Sequence, residues 1–323
     1  MLVDTRLSPE DVVRARRRIQ SLVRRTPVMT SDILDEMTGA RLFFKCEQLQ
    51  ITGSFKLRGA SHAVSLLPPD CPGVATHSSG NHGAALARAA ALRGLRAEIV
   101  VPEGAVEAKV DNIRRHGGSI HFCKPDQAGR EAALARLVER GFEPVPPYDD
   151  DRIIAGQGSC ALEMMDQIEA LDIMVAPVGG GGLIGGTALA ARTSARAPKV
   201  VGIEPAGADD TMRSLNQGRR VEDHHPQTVA DGLRALVGQR NLALIAQWVE
   251  SVLPATEDDI TRAMGLLWTH LKQVVEPSGA VALAGILAHR EQFRNQRIGI
   301  IISGGNLDLA PCLEGWSRRY HTY

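Results

Sequence analysis

The run Ile173-Met174-Val175-Ala176-Pro177-Val178-Gly179-Gly180-Gly181-Gly182-Leu183-Ile184-Gly185-Gly186 sets the fold class of this chain. Its apolar first part has the character of a strand buried on both faces, and the run from Leu183 to Ala195 that of a helix. A strand that ends in glycines and opens a helix is one half of a parallel crossover unit. Similar units flank it. Upstream, Val74-Ala75-Thr76, Ala97 to Val101 and Ser119 to Cys123 are strand-like, and helices follow over Asn81 to Leu92, Val106 to His116 and Gln127 to Arg140. Downstream, Lys199 to Ile203 and Arg297 to Ile302 are strands. Thr256-Glu257-Asp258-Asp259 is a capping box that opens a helix to about Lys272, and Pro277 to Arg290 is helical.

Nearer the N-terminus, Ser8-Pro9-Glu10-Asp11 starts a helix with Val12, Ala15, Ile19, Leu22 and Val23 on one stripe, stopped at Thr26-Pro27. Arg41 to Cys46 is a strand, Gly156 to Leu171 a helix, and Gly218 to Pro226 an exposed loop. The alternation predicts an α/β fold of two lobes, each with a mainly parallel sheet flanked by helices. The smaller lobe, 73–148, is inserted in the larger, 1–72 with 149–323. In open parallel sheets ligands bind beyond the carboxyl ends of the strands, where the unusual turns of this chain fall.

Composition narrows the function classes. With 37 Lys and Arg against 37 Asp and Glu in 323 residues, the formal charge is zero, so no nucleic acid or anionic membrane is expected as partner. The basic run Arg16-Arg17-Arg18 with Arg24-Arg25 fits a solvated helix face. The five cysteines are scattered without a C-x-x-C pair, which argues against a disulfide framework or zinc cluster. Cys312 is either a reactive thiol or a buried structural one. No signal-peptide core or run of about 18 apolar residues occurs, so a cytoplasmic protein is expected.

Three further stretches carry chemistry. Ile51-Thr52-Gly53-Ser54-Phe55-Lys56-Leu57-Arg58-Gly59-Ala60 places the Lys56 amine at a helix start, where unpaired N–H groups disfavour a second cation. Closure in a pocket lowers such a pKa further and yields a nucleophile near neutral pH. Ser78-Ser79-Gly80-Asn81-His82-Gly83 puts hydroxyls, an amide and an imidazole on one strand-to-helix turn, and Ser303-Gly304-Gly305-Asn306 ends the last strand. The tetraglycine turn at a helix start suits a phosphate. Two owners of that phosphate stay open. Gly180, Gly182 and Gly185 satisfy G-x-G-x-x-G, and Glu204 lies 19 residues past Gly185, as an NAD-binding oxidoreductase would require. That reading leaves Lys56 and the Ser78 turn without a role.

Taken together, Ser54 to Ala60, Ser78 to Gly83, Gly179 to Gly182 and Ser303 to Asn306 resemble the threonine dehydratase and serine racemase family, enzymes of pyridoxal 5'-phosphate with the tryptophan-synthase β fold (fold type II). The likeness runs from about residue 8 to 310 and is to the short, catabolic type without a regulatory domain. It implies that Lys56 holds the cofactor as a Schiff base and moves the α-proton, that Phe55 flanks the ring, and that Asn81 bonds its phenolic oxygen. Gly179, Gly180, Gly181 and Gly182 would cradle the phosphate, and Ser303 would face the pyridine nitrogen, leaving it largely neutral. Ser78, Ser79, His82 and Arg130 would lie near the substrate, with Ser79 able to reprotonate the opposite face. Glu204, the Ala208 carbonyl and Asp210 would hold Mg²⁺ or Ca²⁺. Family members are usually homodimers or homotetramers.

In one place the chain departs from the pattern. Where serine racemases continue Ala-Asp-Gly-x-x with serine, Ala230-Asp231-Gly232-Leu233-Arg234 leads to Ala235. The expected reaction is β-elimination from a 3-hydroxy amino acid, such as L-threonine or L-serine, giving a 2-oxo acid and ammonia. Serine racemisation, or dehydration of 3-hydroxyaspartate (Arg234 meeting its second carboxylate) or of a hydroxyectoine-derived compound, are alternatives within the family.

Overall fold

The computed structural model describes residues 7–78 and 80–310; Ser79 and Cys312 lie outside the described residues. Helix α1 (Pro9–Ile19) leads to β1 (Val28–Met29), α2 (Asp32–Thr38), β2 (Arg41–Cys46) and α3 (Lys56–Ser65). Strands β3 (Gly73–His77), β4 (Arg96–Pro102), β5 (Gly118–Cys123) and β6 (Glu143–Pro144) alternate with α4 (Asn81–Leu92), α5 (Glu107–Arg115) and α6 (Gln127–Glu139). The chain continues through α7 (Asp151–Gln167), β7 (Ile173–Pro177), α8 (Gly182–Ala191), β8 (Lys199–Pro205), α9 (Asp210–Gln217) and α10 (Gln239–Trp248). It ends with β9 (Ser251–Ala255), α11 (Glu257–Leu266), α12 (Pro277–Ala288), α13 (Arg290–Phe293) and β10 (Arg297–Ile302).

Two sheets result, with strand orders β1-β2-β10-β7-β8-β9 and β5-β4-β3-β6. Every pairing is parallel except β1 with β2. The second sheet is built wholly from residues 73–144, within a chain that supplies the first sheet from both sides of it. Alternation along the strands fills both faces of the larger sheet. Val175 and Ile300 join a core with α11 and α12, whereas Met174, Ala176 and Ile301 join one with α7, α8 and α10. The smaller sheet packs Val74, Ile99 and Val101 against α3, α4 and α5.

Small residues bring the central helices close enough to align the strand ends. A Cβ on Gly156 would lie 2.7 Å from Gly59 Cα, and one on Gly158 would lie 2.6 Å from the Gly186 carbonyl oxygen. These glycines hide the true start of α7. It begins at Asp151, not Gly156, because the Asp150 carboxylate accepts from Arg152 N and caps it. Helix α1 stops at Ile19, ahead of Thr26-Pro27, and the α-helix expected to run to Lys272 ends at Leu266 and widens into a π turn, Leu267–Leu271. Elements α2, α9, α10, α13, β1, β6 and β9 have no counterpart in the sequence reading.

Helix α3 is anchored by a buried group of two cations and two anions. Arg58 bonds Glu47 at 2.7 and 2.8 Å and Glu163 at 2.8 Å, and Lys45 Nζ lies 2.9 Å from Glu163. Thr26 donates to Glu47 at 2.5 Å, so the carboxylate oxygens are occupied.

Candidate active site

The strand ends of both sheets border one cleft of ≈ 690 Å³. Lys56 enters it from the first position of α3. The segment before it is held against the turn after β10: Ser54 and Gly304 form an antiparallel bridge, Phe55 N donates to Ser303 O at 3.0 Å, and Gly305 N to Gly53 O at 3.0 Å. Gly53 has φ +77°, and a Cβ there would lie 2.2 Å from Asn306 Oδ1, so this turn requires glycine. The motifs around Lys56 and Ser303 are thus one structural unit.

Lys56 Nζ donates to Pro147 O at 2.8 Å and lies 5.2 Å from the centre of the Phe55 ring. Loss of hydration lowers its pKa to about 8, against the opposing pull of Glu276. The neutral amine is therefore well populated just above neutral pH.

The tetraglycine turn closes the facing wall. A Cβ on Gly179 would lie 2.9 Å from Leu233 Cα, and one on Gly180 2.3 Å from Cγ of Tyr148. Gly181 has φ +89° and precedes α8, whose first N–H groups have no partners within the helix. The space beside these glycines is taken by Leu233, Tyr148 and Asn241, so only glycine fits there, and the N–H groups at the start of α8 are donors suited to an anion.

Of the residues singled out in the sequence, Phe55, Lys56, Ser78, Asn81, His82, Arg130, Gly179, Gly180, Gly181, Gly182 and Ser303 all line this cleft. Ser78 Oγ accepts from Gly83 N at 3.2 Å and shapes the turn before α4. His82 Nε2 meets Val145 O at 2.9 Å, and burial with the nearby Lys56 charge drops its pKa to about 3, so the ring is neutral. Arg130 donates to Pro125 O, and its Nε has no partner. Ser303 Oγ donates to Ser278 O at 3.2 Å. Glu204, Ala208 and Asp210 lie outside the cleft lining. Gly185 is inside α8, where a Cβ would touch Asn241 and Leu244 at 3.3 Å, and Glu204 Oε1 accepts from Met212 N at 2.8 Å. The arrangement expected for a dinucleotide ribose is thus absent from the described residues.

A model of the family described as pyridoxal-phosphate dependent enzyme matches residues 19–304. The chain belongs to that family. Among the relatives of this pyridoxal-phosphate enzyme is a beta-hydroxyaspartate dehydratase of Paracoccus denitrificans, 47% identical over 93% of this chain and 96% of that protein. A serine racemase of Dictyostelium discoideum is 42% identical over 93% and 95%. The crystal structure of a threonine deaminase from T.th. superposes with a TM-score of 0.90, at 38% identity over 94% of this chain and 100% of that one. The family assignment decides against the oxidoreductase reading, and the fold is the type II fold of these enzymes.

Three cleft-side residues of this pyridoxal-phosphate enzyme escaped the sequence reading. Glu276 is buried, accepts from Asn81 Nδ2 at 2.6 Å and leaves Oε2 unpartnered; burial lifts its pKa to about 7. Tyr148 covers Gly180, and Asn241 stands behind the glycines. Only a glutamate just before Pro277, at a helix start, offered any signal. In addition, Lys109 of α5 forms an ion pair with Asp231 across the cleft.

Proposed function

We propose that this enzyme eliminates water from a 3-hydroxy amino acid and releases a 2-oxo acid and ammonia. The observation that carries the reading is the Lys56 amine, its pKa lowered by desolvation, in one cleft with a turn of four glycines at the start of α8. The residues present fit pyridoxal 5'-phosphate: a nucleophilic amine, the N–H groups of a glycine turn at a helix start, the Asn81 amide and the Ser303 hydroxyl. When bound, that cofactor withdraws electrons from the substrate's Cα and so acidifies its proton. Lys56 would hold the cofactor and take the α-proton, and Phe55 would pack beside the ring. Asn81, its Oδ1 fixed at 2.8 Å from Asn306 Nδ2, would present its amide to the ring oxygen. Ser303, a hydroxyl and not a carboxylate, would leave the ring nitrogen largely neutral, which favours loss of a β-substituent over transamination. Arg130, His82, Ser78 and Ser79 would surround the substrate.

The substrate we favour is 3-hydroxyaspartate. The Paracoccus relative supports it, as does Arg234, which lines the cleft, held by two bonds of 3.1 and 2.6 Å to Thr228 O. Serine and threonine, and racemisation by Lys56 with Ser79, are the other arms of the test. Purified enzyme is offered all three amino acids, with 2-oxo acid, ammonia and enantiomer ratio measured. Lys56→Ala is expected to lose at least about a thousandfold in kcat, the scale of removing the group that moves the proton. Ammonia release by that variant at a tenth of the wild-type rate overturns the mechanism.

A divalent cation at Glu204, Asp210 and the Ala208 carbonyl belongs to the same reading. Glu204 Oε2 is buried without a partner, and burial raises the pKa values of both carboxyls, that of Glu204 to about 8. Two buried carboxyls with an imidazole as neighbour, His224 Nε2 at 3.7 Å from Asp210 Oδ1, supply oxygen ligands of the kind a hard cation takes. Mg²⁺ or Ca²⁺ is expected to raise the unfolding midpoint of the wild type and not of Glu204→Gln, measured by calorimetry after chelation. We read the chain as a cytoplasmic homodimer or homotetramer, with 73–148 as the inserted domain; among the described residues no helix is long and apolar enough to cross a membrane.

A further inference from the structure

We propose that Asn241 is a positioning residue for the cofactor phosphate, acting through the tetraglycine turn. The inference rests on the cofactor reading above and adds a residue to which nothing yet gives a role. Asn241 lies on α10, is fully buried and does not line the cleft. Its Nδ2 donates to Gly180 O at 2.7 Å and lies 3.3 Å from Tyr148 O. Gly238 N donates to the same Gly180 oxygen at 3.1 Å. Two carbonyls on one end of the amide fix which end is the NH₂.

The consequence follows from peptide geometry. All described peptide bonds are trans, so the Gly180 carbonyl and the Gly181 N–H point in opposite directions. Two donors behind the turn hold the carbonyl away from the cleft, and the N–H is thereby aimed into it. Glycine alone does not do this: a flexible turn samples both orientations of the peptide, and each wrong one presents an oxygen to an anion. Asn241 also backs the next residue, since a Cβ on Gly181 would fall 2.7 Å from Asn241 Cβ. Through Tyr148 O it joins the turn to the strap whose preceding residue, Pro147, accepts from Lys56 Nζ. One side chain therefore sets the spacing between phosphate grip and amine.

The test compares two forms of the cofactor. Holoenzyme is stripped and reloaded with pyridoxal 5'-phosphate or with pyridoxal, which lacks the phosphate, and the visible absorption of the bound vitamer gives each dissociation constant. Asn241→Asp keeps the shape, removes the donor and places negative charge against the Gly180 oxygen; Asn241→Ala removes the donor alone. In each variant that unfolds at the wild-type temperature, affinity for pyridoxal 5'-phosphate is expected to fall about tenfold or more, the effect of losing a hydrogen-bonding group that serves a charged ligand. Affinity for pyridoxal should change less than about twofold. An equal loss for both vitamers, or an unchanged preference for the phosphorylated one, overturns the role of Asn241. Equal affinity of the wild type for both vitamers instead overturns the phosphate reading of the turn itself.

Discussion

At the scale of single residues, the groups legible in sequence are those whose chemistry depends on near neighbours. Lys56, Asn81 and Ser303 sit in short turns beside glycines, and those turns bring them to the cleft. Glu276, Tyr148 and Asn241 stand out through contacts 32 to 195 residues away (32 from Tyr148 to Gly180), which no local pattern encodes. Glu276 gives a sharp pH prediction. Burial lifts its pKa from 4.5 to about 7, so between those values the folded chain keeps a proton that the unfolded chain releases. Its contribution to stability is therefore present at low pH and is lost as pH rises toward 7. Glu276→Gln can still accept from Asn81 yet bears no charge. Relative to wild type, its unfolding midpoint should climb between pH 5 and 7 and stay higher at pH 8. Parallel curves measured by circular dichroism would show that Glu276 does not titrate in this range.

At the scale of elements, those legible in periodicity include β2, α4 and β10, which have the expected limits, and most of the others read from the sequence fall within about two residues of theirs. Helices α8 and α12 were legible as helices, and the structure buries nearly all of each. The exception with a consequence is α7, where Gly156 and Gly158 are contact points between helices and not breaks. Gly156 lets α3 approach and Gly158 lets α8 approach, and the charges of Arg58, Glu47, Glu163 and Lys45 then lock α3 in place, two residues from Lys56. Because Arg58 is fully buried, its loss leaves Glu47 and Glu163 with too little compensating charge. Arg58→Ala should destabilise the fold by about 3–5 kcal/mol, as breaking a buried ion pair from one side does. Arg58→Lys should recover only part of this, since an ammonium cannot span both carboxylates as the guanidinium does. Urea unfolding of the three proteins measures the order; an Arg58→Ala protein within about 1 kcal/mol of wild type would mean that the cluster does not anchor α3.

At the scale of the molecule, two sheets border one cleft, and among the described residues polar contacts join its opposing walls. Asn81 of α4 reaches Glu276 and Asn306 at 2.6 and 2.8 Å, deep in the cleft. Nearer solvent, Lys109 of α5 meets Asp231, whose side chain is 40% exposed. The inner contacts are shielded from water, whereas the outer pair is screened by salt and contributes at most about 1 kcal/mol to stability. Its effect should fall on the passage of ligands and not on the fold. Lys109→Gln and Asp231→Asn are expected to leave the unfolding midpoint within about 1 °C of wild type, a shift under about 1 kcal/mol for a chain of this size. Each should raise KM by about two- to fivefold with kcat changed less, the scale of losing one exposed charge pair. Lys109 lines the cleft, so loss of its charge alone would also weaken binding of an anionic substrate. The reversed pair, Lys109→Asp with Asp231→Lys, separates the two effects: it keeps the bridge and moves the cation to the opposite wall. Recovery of KM in that double variant assigns the effect to the bridge, and continued loss assigns it to the position of the lysine charge.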